Sequence, residues 1–269
     1  MTGEAFSLDV SSVPEQKERA KLFDAAARTE DALGQISEVY RTGVMFRRNE
    51  QDIKLDLACT PLDEGRTMWY VIRHFRPSCV VEVGFGRGTS AAFILGALAP
   101  WQGRLISVDP FFRSWTENDG FDYLKRFGFS SNHVLLEQRS DIALPNLLAG
   151  QIPQESLSFS FIDGSHFFDD ALIDFMYSDR MTMLGGIIAM DDAGAPALRT
   201  LASYIAHNLP YKLHYATKRL LLCQKLGDRT ARKWFHFRPF RCSQRMDFDS
   251  HTDRPDANTV PNATFSEVA

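Results

Sequence analysis

The chain has 269 residues, of which 44% are hydrophobic, and its formal net charge is -4. This length allows one α/β domain with additions or two small domains, and the apolar content allows a substantial core. The slightly acidic balance gives no electrostatic footprint for nucleic acid or an anionic membrane, so we expect a small neutral or polar ligand.

The first residues and the cysteines indicate a cytoplasmic protein. Residues 1–20 lack the basic and apolar regions of a secretory signal, and no run approaches the roughly 18 apolar residues of a membrane span. The four cysteines, Cys59, Cys79, Cys223 and Cys242, form no CxxC pair, so neither a zinc site nor a disulfide framework is expected.

Helices are predicted before the main domain. Residues 14–48 contain runs of good helix formers with apolar positions at helical spacing, which predicts one or two amphipathic helices in an N-terminal extension over 1–59. Residues 60–77 follow as a capped helix, in which Thr60 serves as the N-cap and Pro61 takes the first helical position.

Strand-like and helical patterns then alternate. The strand-like runs are residues 79–84, 104–109, 133–138, 157–163, 186–191, 211–217 and 219–224. Helical patterns separate the first five runs, which predicts parallel βαβ units in an open sheet. The last two runs are almost contiguous and predict a hairpin, so at least one strand is antiparallel. We expect this domain over 60–226, followed over 227–269 by a packed extension and a disordered tail.

A glycine-rich turn follows the first of these strands. Gly84, Gly86 and Gly88 lack Cβ atoms, so the backbone can adopt unusual dihedral angles and approach a ligand closely. The turn lies at the carboxyl edge of the strands, where doubly wound sheets bind ligands. Asp109 ends the second strand, where an acid can accept both hydroxyls of a ribose. These features predict a cofactor that contains a nucleoside.

The stretch from Glu82 to Ser90, ExGxGxGTS, resembles motif I of the class I S-adenosylmethionine-dependent methyltransferases. The resemblance implies a Rossmann-like α/β fold with a seven-stranded, mostly parallel sheet, an antiparallel terminal hairpin strand and N-terminal helices. It implies S-adenosylmethionine as cofactor, with Glu82 among the cofactor-binding residues, the three glycines and Ser90 at the methionine moiety, and Asp109 at the ribose. Arg139 and Ser140, after the third strand, would lie near the adenine; the alternative for Arg139 is a surface charge.

Two other interpretations stay open. A nicotinamide-dependent oxidoreductase would use the same turn and the same acid, but its dinucleotide fingerprint has a glycine where this chain has Thr89. A noncatalytic binding protein would keep a degenerate methyltransferase fold.

Acidic residues end the fourth and fifth strands. Asp163 follows the fourth strand, and Asp191 and Asp192 follow the fifth, so neighbouring parallel strands bring three carboxylates to the ligand-binding edge. Such carboxylates repel one another unless they are protonated or neutralised by a cation. A divalent ion that prefers oxygen ligands, most naturally Mg2+, would neutralise them.

Residues 68–93 and 160–194 resemble the corresponding segments of catechol O-methyltransferase-like enzymes and of the related methyltransferase type 24 family. The resemblance implies metal-assisted O-methylation of a hydroxyl on a small molecule, with Asp163 at the cofactor and the reaction. The catechol-type metal triad is Asp, Asp, Asn, whereas this chain offers three aspartates. His166 stands where those enzymes carry a lysine base, and it is either the base or a residue that orients Asp163.

Aromatic residues accompany these segments. Phe111, Phe112, Trp115, Phe167 and Phe168 flank the expected pocket and form either a wall for an aromatic acceptor or ordinary core. The basic and aromatic residues 232–241 predict a structural or oligomer-contacting extension, so a homo-oligomer is possible.

Overall fold

The structure, a computed structural model, describes residues 32–111, 118–228, 233 and 235–240. It begins with helix α1 over residues 32–42, the strands β1 (Val44–Arg48) and β2 (Gln51–Lys54), and helix α2 (Leu62–Phe75). The helix predicted within residues 14–31 lies outside the described residues.

The β1–β2 hairpin was not predicted, because residues 44–48 were included in a helical stretch. Asn49 and Glu50 connect the two strands, and both have positive φ angles, 49° and 66°. Two left-handed residues in a two-residue loop match the twist of a β-hairpin. The short VMFRR strand also carries the β-branched and aromatic side chains that favour extended backbone.

The start of α2 also differs from the prediction. Pro61, not Thr60, occupies the N-cap position, and the helix begins at Leu62. The backbone N–H of Thr60 instead donates to Oγ1 of Thr89, at 2.9 Å, and its carbonyl accepts from the hydroxyl of Tyr40. Thr60 therefore connects the N-terminal elements to the helix that follows the glycine turn.

The described residues form a central sheet of seven strands. These strands are β3 (Cys79–Val83), β4 (Arg104–Val108), β5 (His133–Leu136), β6 (Leu157–Ile162), β7 (Thr182–Met190), β8 (Tyr211–Tyr215) and β9 (Leu221–Lys225). Their order is β5-β4-β3-β6-β7-β9-β8, in which β9 is antiparallel to both of its neighbours and the other pairings are parallel. This order confirms the predicted mostly parallel sheet with one antiparallel hairpin strand.

Helices cover both faces of the sheet. They are α3 (Thr89–Leu98), α4 (Asp119–Arg126), α5 (Ser140–Gly150), α6 (Phe168–Met181) and α7 (Pro196–Asn208). Alternate side chains of one strand point to opposite faces. On β6, Phe161 joins the core with α2 and α3, whereas Ile162 joins the core with α6 and α7. Buried cores on both faces therefore hold the sheet in place.

The described C-terminal residues lie against α7. Asn208 exchanges two hydrogen bonds with the backbone of Arg238, at 3.0 and 2.7 Å, and Phe240 makes an edge contact with Tyr204. Residues 241–269, which include the predicted tail, lie outside the described residues. Among the helices that the structure describes, none has the length and apolar character that crossing a bilayer requires.

Candidate active site at the carboxyl edge of the sheet

The glycine turn packs closely against two neighbouring loops. Gly84, Gly86 and Gly88 have φ angles of 89°, 46° and 70°, a region that favours glycine. A Cβ atom on Gly84 would overlap the backbone carbonyl of Asp163, and one on Gly88 would lie 3.0 Å from Gly120. The glycines thus allow the turn after β3 to touch the turn after β6, which carries Asp163.

Asp109 lies directly beside the glycine turn. Its Oδ2 accepts hydrogen bonds from the backbone N–H groups of Phe85 and Gly86, at 3.0 and 2.9 Å, and its Oδ1 accepts from Phe111 at 2.8 Å. A carboxylate offers about four lone-pair positions, so this half-buried group can still accept from a ribose hydroxyl. The charge and position of Asp109 therefore fit a nucleoside cofactor.

Glu82 and Ser90 lie beneath the turn and contact each other. Glu82 is fully buried, and its carboxyl oxygens accept from Oγ of Ser90 and Oγ of Ser107, each at 2.5 Å. Burial raises the pKa of Glu82 to about 8, with the two serine hydrogen bonds acting in the opposite direction. In this position both residues fix the start of α3 and support the glycine turn from below.

Arg139 and Ser140 occupy the same edge, after β5. Ser140 is the first residue of α5, and Arg139 precedes it in extended conformation. The exposed Arg139 guanidinium donates to the two oxygens of Asp141, at 3.0 and 3.2 Å. The structure thus brings the glycine turn, Asp109 and the Arg139–Ser140 turn to one edge of three adjacent strands.

The two acidic residues after β7 contact a guanidinium, and His166 lies between Asp192 and Asp163. Nη2 of Arg219, in the loop between β8 and β9, is 3.1 Å from Oδ2 of Asp191 and 2.8 Å from Oδ1 of Asp192. Nε2 of His166 is 3.2 Å from Oδ2 of Asp192 and 3.9 Å from Oδ1 of Asp163. Asp192 is therefore shared between a cation and an imidazole.

Burial and mutual repulsion perturb the acids of this cluster. Burial, followed by the charge of Asp191, raises the pKa of Asp163 to about 7. Glu64 of α2 is only 2% exposed, and burial followed by Asp191 raises its pKa to about 8. The Glu64 carboxylate accepts from Oγ1 of Thr217 at 3.1 Å and lies 3.8 Å from Nε of Arg219.

Sequence reasoning missed Glu64 and Arg219. Nothing in the α2 sequence distinguishes Glu64 from an ordinary first-turn acid. For Arg219 a signal existed, because β9 is antiparallel and starts at the edge where β7 ends, with Leu221 opposite Met190. A cation just before β9 therefore lies beside the acids just after β7.

The expected metal triad does not fit a divalent ion in this arrangement. Within residues 32–111, 118–228, 233 and 235–240, no three His, Cys, Asp or Glu side chains are grouped so that they could hold a metal. One oxygen each of Asp191 and Asp192 already contacts Arg219, and a positive guanidinium repels a second cation. We therefore assign no step to Mg2+, although the sequence predicted it at Asp163, Asp191 and Asp192.

Comparisons with known proteins agree with this architecture. A family described as a methyltransferase domain matches residues 81–193, which run from β3 to the loop after β7. No curated protein matches the chain in sequence.

Several solved structures share the fold at low sequence identity. The O-methyltransferase TomG from Streptomyces achromogenes, involved in tomaymycin synthesis and solved with S-adenosylmethionine, is 19% identical, with a TM-score of 0.52 over 73% of this chain and 90% of its own. The methyltransferase PaMTH1 from Podospora anserina, bound to S-adenosylhomocysteine, is 17% identical, with a TM-score of 0.55 over 81% and 100%. An O-methyltransferase from Bacillus cereus, also with S-adenosylhomocysteine, is 12% identical, with a TM-score of 0.53 over 74% and 91%.

These structures support the fold, and the family match covers the strands and turns of the candidate site. Residues 81–193 thus match a methyltransferase domain, and the chain has the fold of the solved methyltransferases.

Proposed function

We propose that the protein transfers a methyl group from S-adenosylmethionine to a hydroxyl of a small molecule. The observation that carries this proposal is the position of Asp109, whose carboxylate lies against the glycine turn within the matched methyltransferase domain. The solved O-methyltransferases with the same fold support the choice of a hydroxyl oxygen as acceptor.

Each part of the carboxyl edge has a role in cofactor binding. The backbone of the glycine turn, residues 84–88, would hold the methionine moiety, and Asp109 would accept from the ribose hydroxyls. The Arg139–Ser140 turn borders the adenine. Glu82 and Ser90 hold the turn in shape from below, because their side chains are buried against each other. When bound, the cofactor supplies an electrophilic methyl group on a sulfonium.

His166 is the group that receives the acceptor proton. With Nε2–H donated to Asp192, a neutral imidazole carries its lone pair on Nδ1, which can accept a proton from a hydroxyl. The neighbouring Asp163 carboxylate raises the pKa of His166, which favours proton uptake. His166 would take the hydroxyl proton, and the cofactor held by the glycine turn and Asp109 would supply the methyl group to the oxygen. Metal assistance is not part of this proposal.

The acceptor pocket favours an aromatic molecule. Phe111 and Phe167 follow β4 and β6 at the carboxyl edge, and their side chains are 65% and 60% exposed. Large exposed apolar side chains near a site commonly contact a ligand. We therefore place a small hydroxylated aromatic compound between the cofactor edge and His166. Cytoplasmic location and a homo-oligomeric state stay predictions from the sequence.

Isothermal titration calorimetry tests the cofactor assignment directly. We expect the purified protein to bind S-adenosylhomocysteine and not NADH. Asp109→Asn removes a charged acceptor and should weaken S-adenosylhomocysteine binding about 10- to 100-fold. Asp52→Asn, the same change at an exposed position on β2, serves as the control and should leave the affinity unchanged. Binding of NADH instead would assign the protein to the oxidoreductases.

Transfer of the methyl group from S-adenosylmethionine to a panel of hydroxylated aromatic compounds tests the activity. S-adenosylhomocysteine should form with at least one acceptor, and His166→Ala should slow its formation while leaving cofactor affinity unchanged. Cofactor binding with no transfer to any acceptor of the panel would favour a noncatalytic binding protein.

A further inference from the structure

Four carboxyl groups come from neighbouring elements at the carboxyl edge, and Asp191 lies close enough to Glu64 and Asp163 to raise the pKa of each. Glu64 comes from α2, Asp163 from the end of β6, and Asp191 and Asp192 from the end of β7. Asp191 is 3% exposed, so its negative charge needs a compensating positive charge nearby. In this cluster the compensating charge is a side chain of the protein itself, Arg219.

Arg219 reaches three of the four acids. Its Nη2 is 3.1 Å from Asp191 and 2.8 Å from Asp192, and its Nε is 3.8 Å from Glu64. The guanidinium is planar and permanently charged, and it presents several donors in a fixed geometry. It can therefore neutralise several oxygens at once, as a bound divalent ion would.

The loop that carries Arg219 is held in place by its own hydrogen bonds. Oγ1 of Thr217 accepts from the backbone N–H groups of Arg219 and Leu220, at 3.1 and 2.9 Å, and the Arg219 carbonyl accepts from Ala193 at 2.8 Å. Ala193 directly follows the two aspartates. The backbone of the arginine is thus tied to the backbone of the acids that it neutralises.

Asp192 connects this cation to the proposed base. Its Oδ1 contacts Arg219 and its Oδ2 contacts Nε2 of His166. A carboxylate held in this way on one side fixes the orientation and the tautomer of an imidazole on the other side. Arg219 therefore acts on His166 through Asp192.

We propose that Arg219 takes the place of a divalent cation in this active site, and that it is a positioning residue which keeps Asp192 directed at His166. The inference rests on the proposed function, in which His166 is the base, but its test needs no methyl acceptor. It predicts that the active site excludes divalent metal ions.

A Mn2+ titration of the full chain tests the proposal. The protein is first freed of metal with a chelator, and the binding of added Mn2+ is then measured by electron paramagnetic resonance. The wild-type protein should leave Mn2+ free up to about 1 mM. Arg219→Gln removes the internal cation and should bind one Mn2+ at least tenfold more tightly than the wild type. Lys218→Gln, the same change at the exposed neighbouring position, should behave like the wild type.

The variant Arg219→Lys distinguishes the effect of the positive charge on Mn2+ binding from the effect of the arginine on stability. It restores the positive charge, so it should again exclude Mn2+ even if its melting temperature resembles that of Arg219→Gln. Saturable Mn2+ binding by the wild type that Asp191→Asn abolishes would overturn the proposal. A folded Arg219→Gln variant that leaves Mn2+ free and melts at the wild-type temperature would also overturn it.

S-adenosylhomocysteine titrations on the same samples keep this result apart from the proposed function. Wild-type protein that binds neither Mn2+ nor S-adenosylhomocysteine would leave Arg219 as the internal cation and remove the methyltransferase assignment of the site. Wild-type protein that binds both would keep the cofactor assignment and reject the role of Arg219.

Discussion

At the scale of single residues, Glu82 shows how burial sets the charge of a motif side chain. The carboxyl group is enclosed between Ser90 and Ser107, and its pKa rises from 4.5 to about 8 because water is excluded. The folded protein therefore holds this proton more tightly than the unfolded chain. The stabilisation is complete below pH 4.5 and is lost as the pH rises through 8.

Glu82→Gln should flatten this pH dependence. Glutamine keeps the shape of the side chain and can accept from one serine while it donates to the other, but it does not titrate. Between pH 5 and pH 8, the wild-type free energy of unfolding should fall more than that of the variant, by at least about 1 kcal/mol. Urea unfolding followed by circular dichroism at the two pH values measures the difference.

The control for this comparison is Glu50→Gln, the same substitution at an exposed position of the hairpin loop. It should keep the wild-type pH dependence, because it leaves the buried Glu82 carboxyl group in place. Parallel pH dependences for wild type and Glu82→Gln would mean that Glu82 is ionised in the folded protein at both pH values.

At the scale of elements, β9 has a cationic side chain at each of its ends, and the two cations have different partners. Arg219 precedes the strand at the carboxyl edge, whereas Lys225 ends it at the opposite edge. Nζ of Lys225 is almost fully buried, and it donates to the carbonyls of Asp179 and Thr182, at 2.8 and 2.9 Å. It also lies 3.5 Å from the buried Asp179 carboxylate, which accepts from the hydroxyl of Tyr211.

Lys225→Met should destabilise the protein without changing the site. Methionine replaces the aliphatic stem, but Asp179 then keeps a buried charge without its cation, which costs about 3–5 kcal/mol. The affinity for S-adenosylhomocysteine should be unchanged in the folded fraction. Lys212→Met, at an exposed position on β8, should change stability by less than about 0.5 kcal/mol. Denaturant unfolding measures both, and a loss below about 1 kcal/mol for Lys225→Met would show that water replaces the ammonium.

The elements of the central sheet follow from local patterns, whereas the hairpin and the charge pairs do not. The periodic pattern of apolar residues predicts seven strands and the helices between them, because each of these elements buries one or two of its faces. The β1–β2 hairpin depends on a loop with two left-handed residues, Asn49 and Glu50, for which the sequence offers only a weak signal. The ion pairs of Arg219 depend on which strand ends are neighbours. They were not predicted from the sequence, because the same carboxylates were assigned to a metal ion.

At the scale of the whole molecule, an ion network joins the N-terminal hairpin to the glycine turn. Arg87, within the glycine turn, is 2.5 Å from Asp119 of α4 and 2.9 Å from Asp56. Arg48 of β1 contacts Asp119 and Asp122 of α4, at 2.9 and 2.8 Å. The nearly buried Asp119 is therefore shared between the turn and the hairpin, so order in one should favour order in the other.

Hydrogen exchange measured by mass spectrometry tests this coupling. In the wild type, S-adenosylhomocysteine should slow exchange of the hairpin amides, because ordering of the glycine turn fixes Arg87 and, through Asp119, Arg48. In Arg48→Met the hairpin should exchange at least about tenfold faster, and the ligand should protect the turn without protecting the hairpin. Arg47→Met removes an exposed arginine of the same strand, which pairs within the hairpin with Asp52, and should preserve the coupling. Equal protection of the hairpin in both variants would place the coupling in the packing of α1 and α2 against α3, since those apolar contacts are common to both proteins.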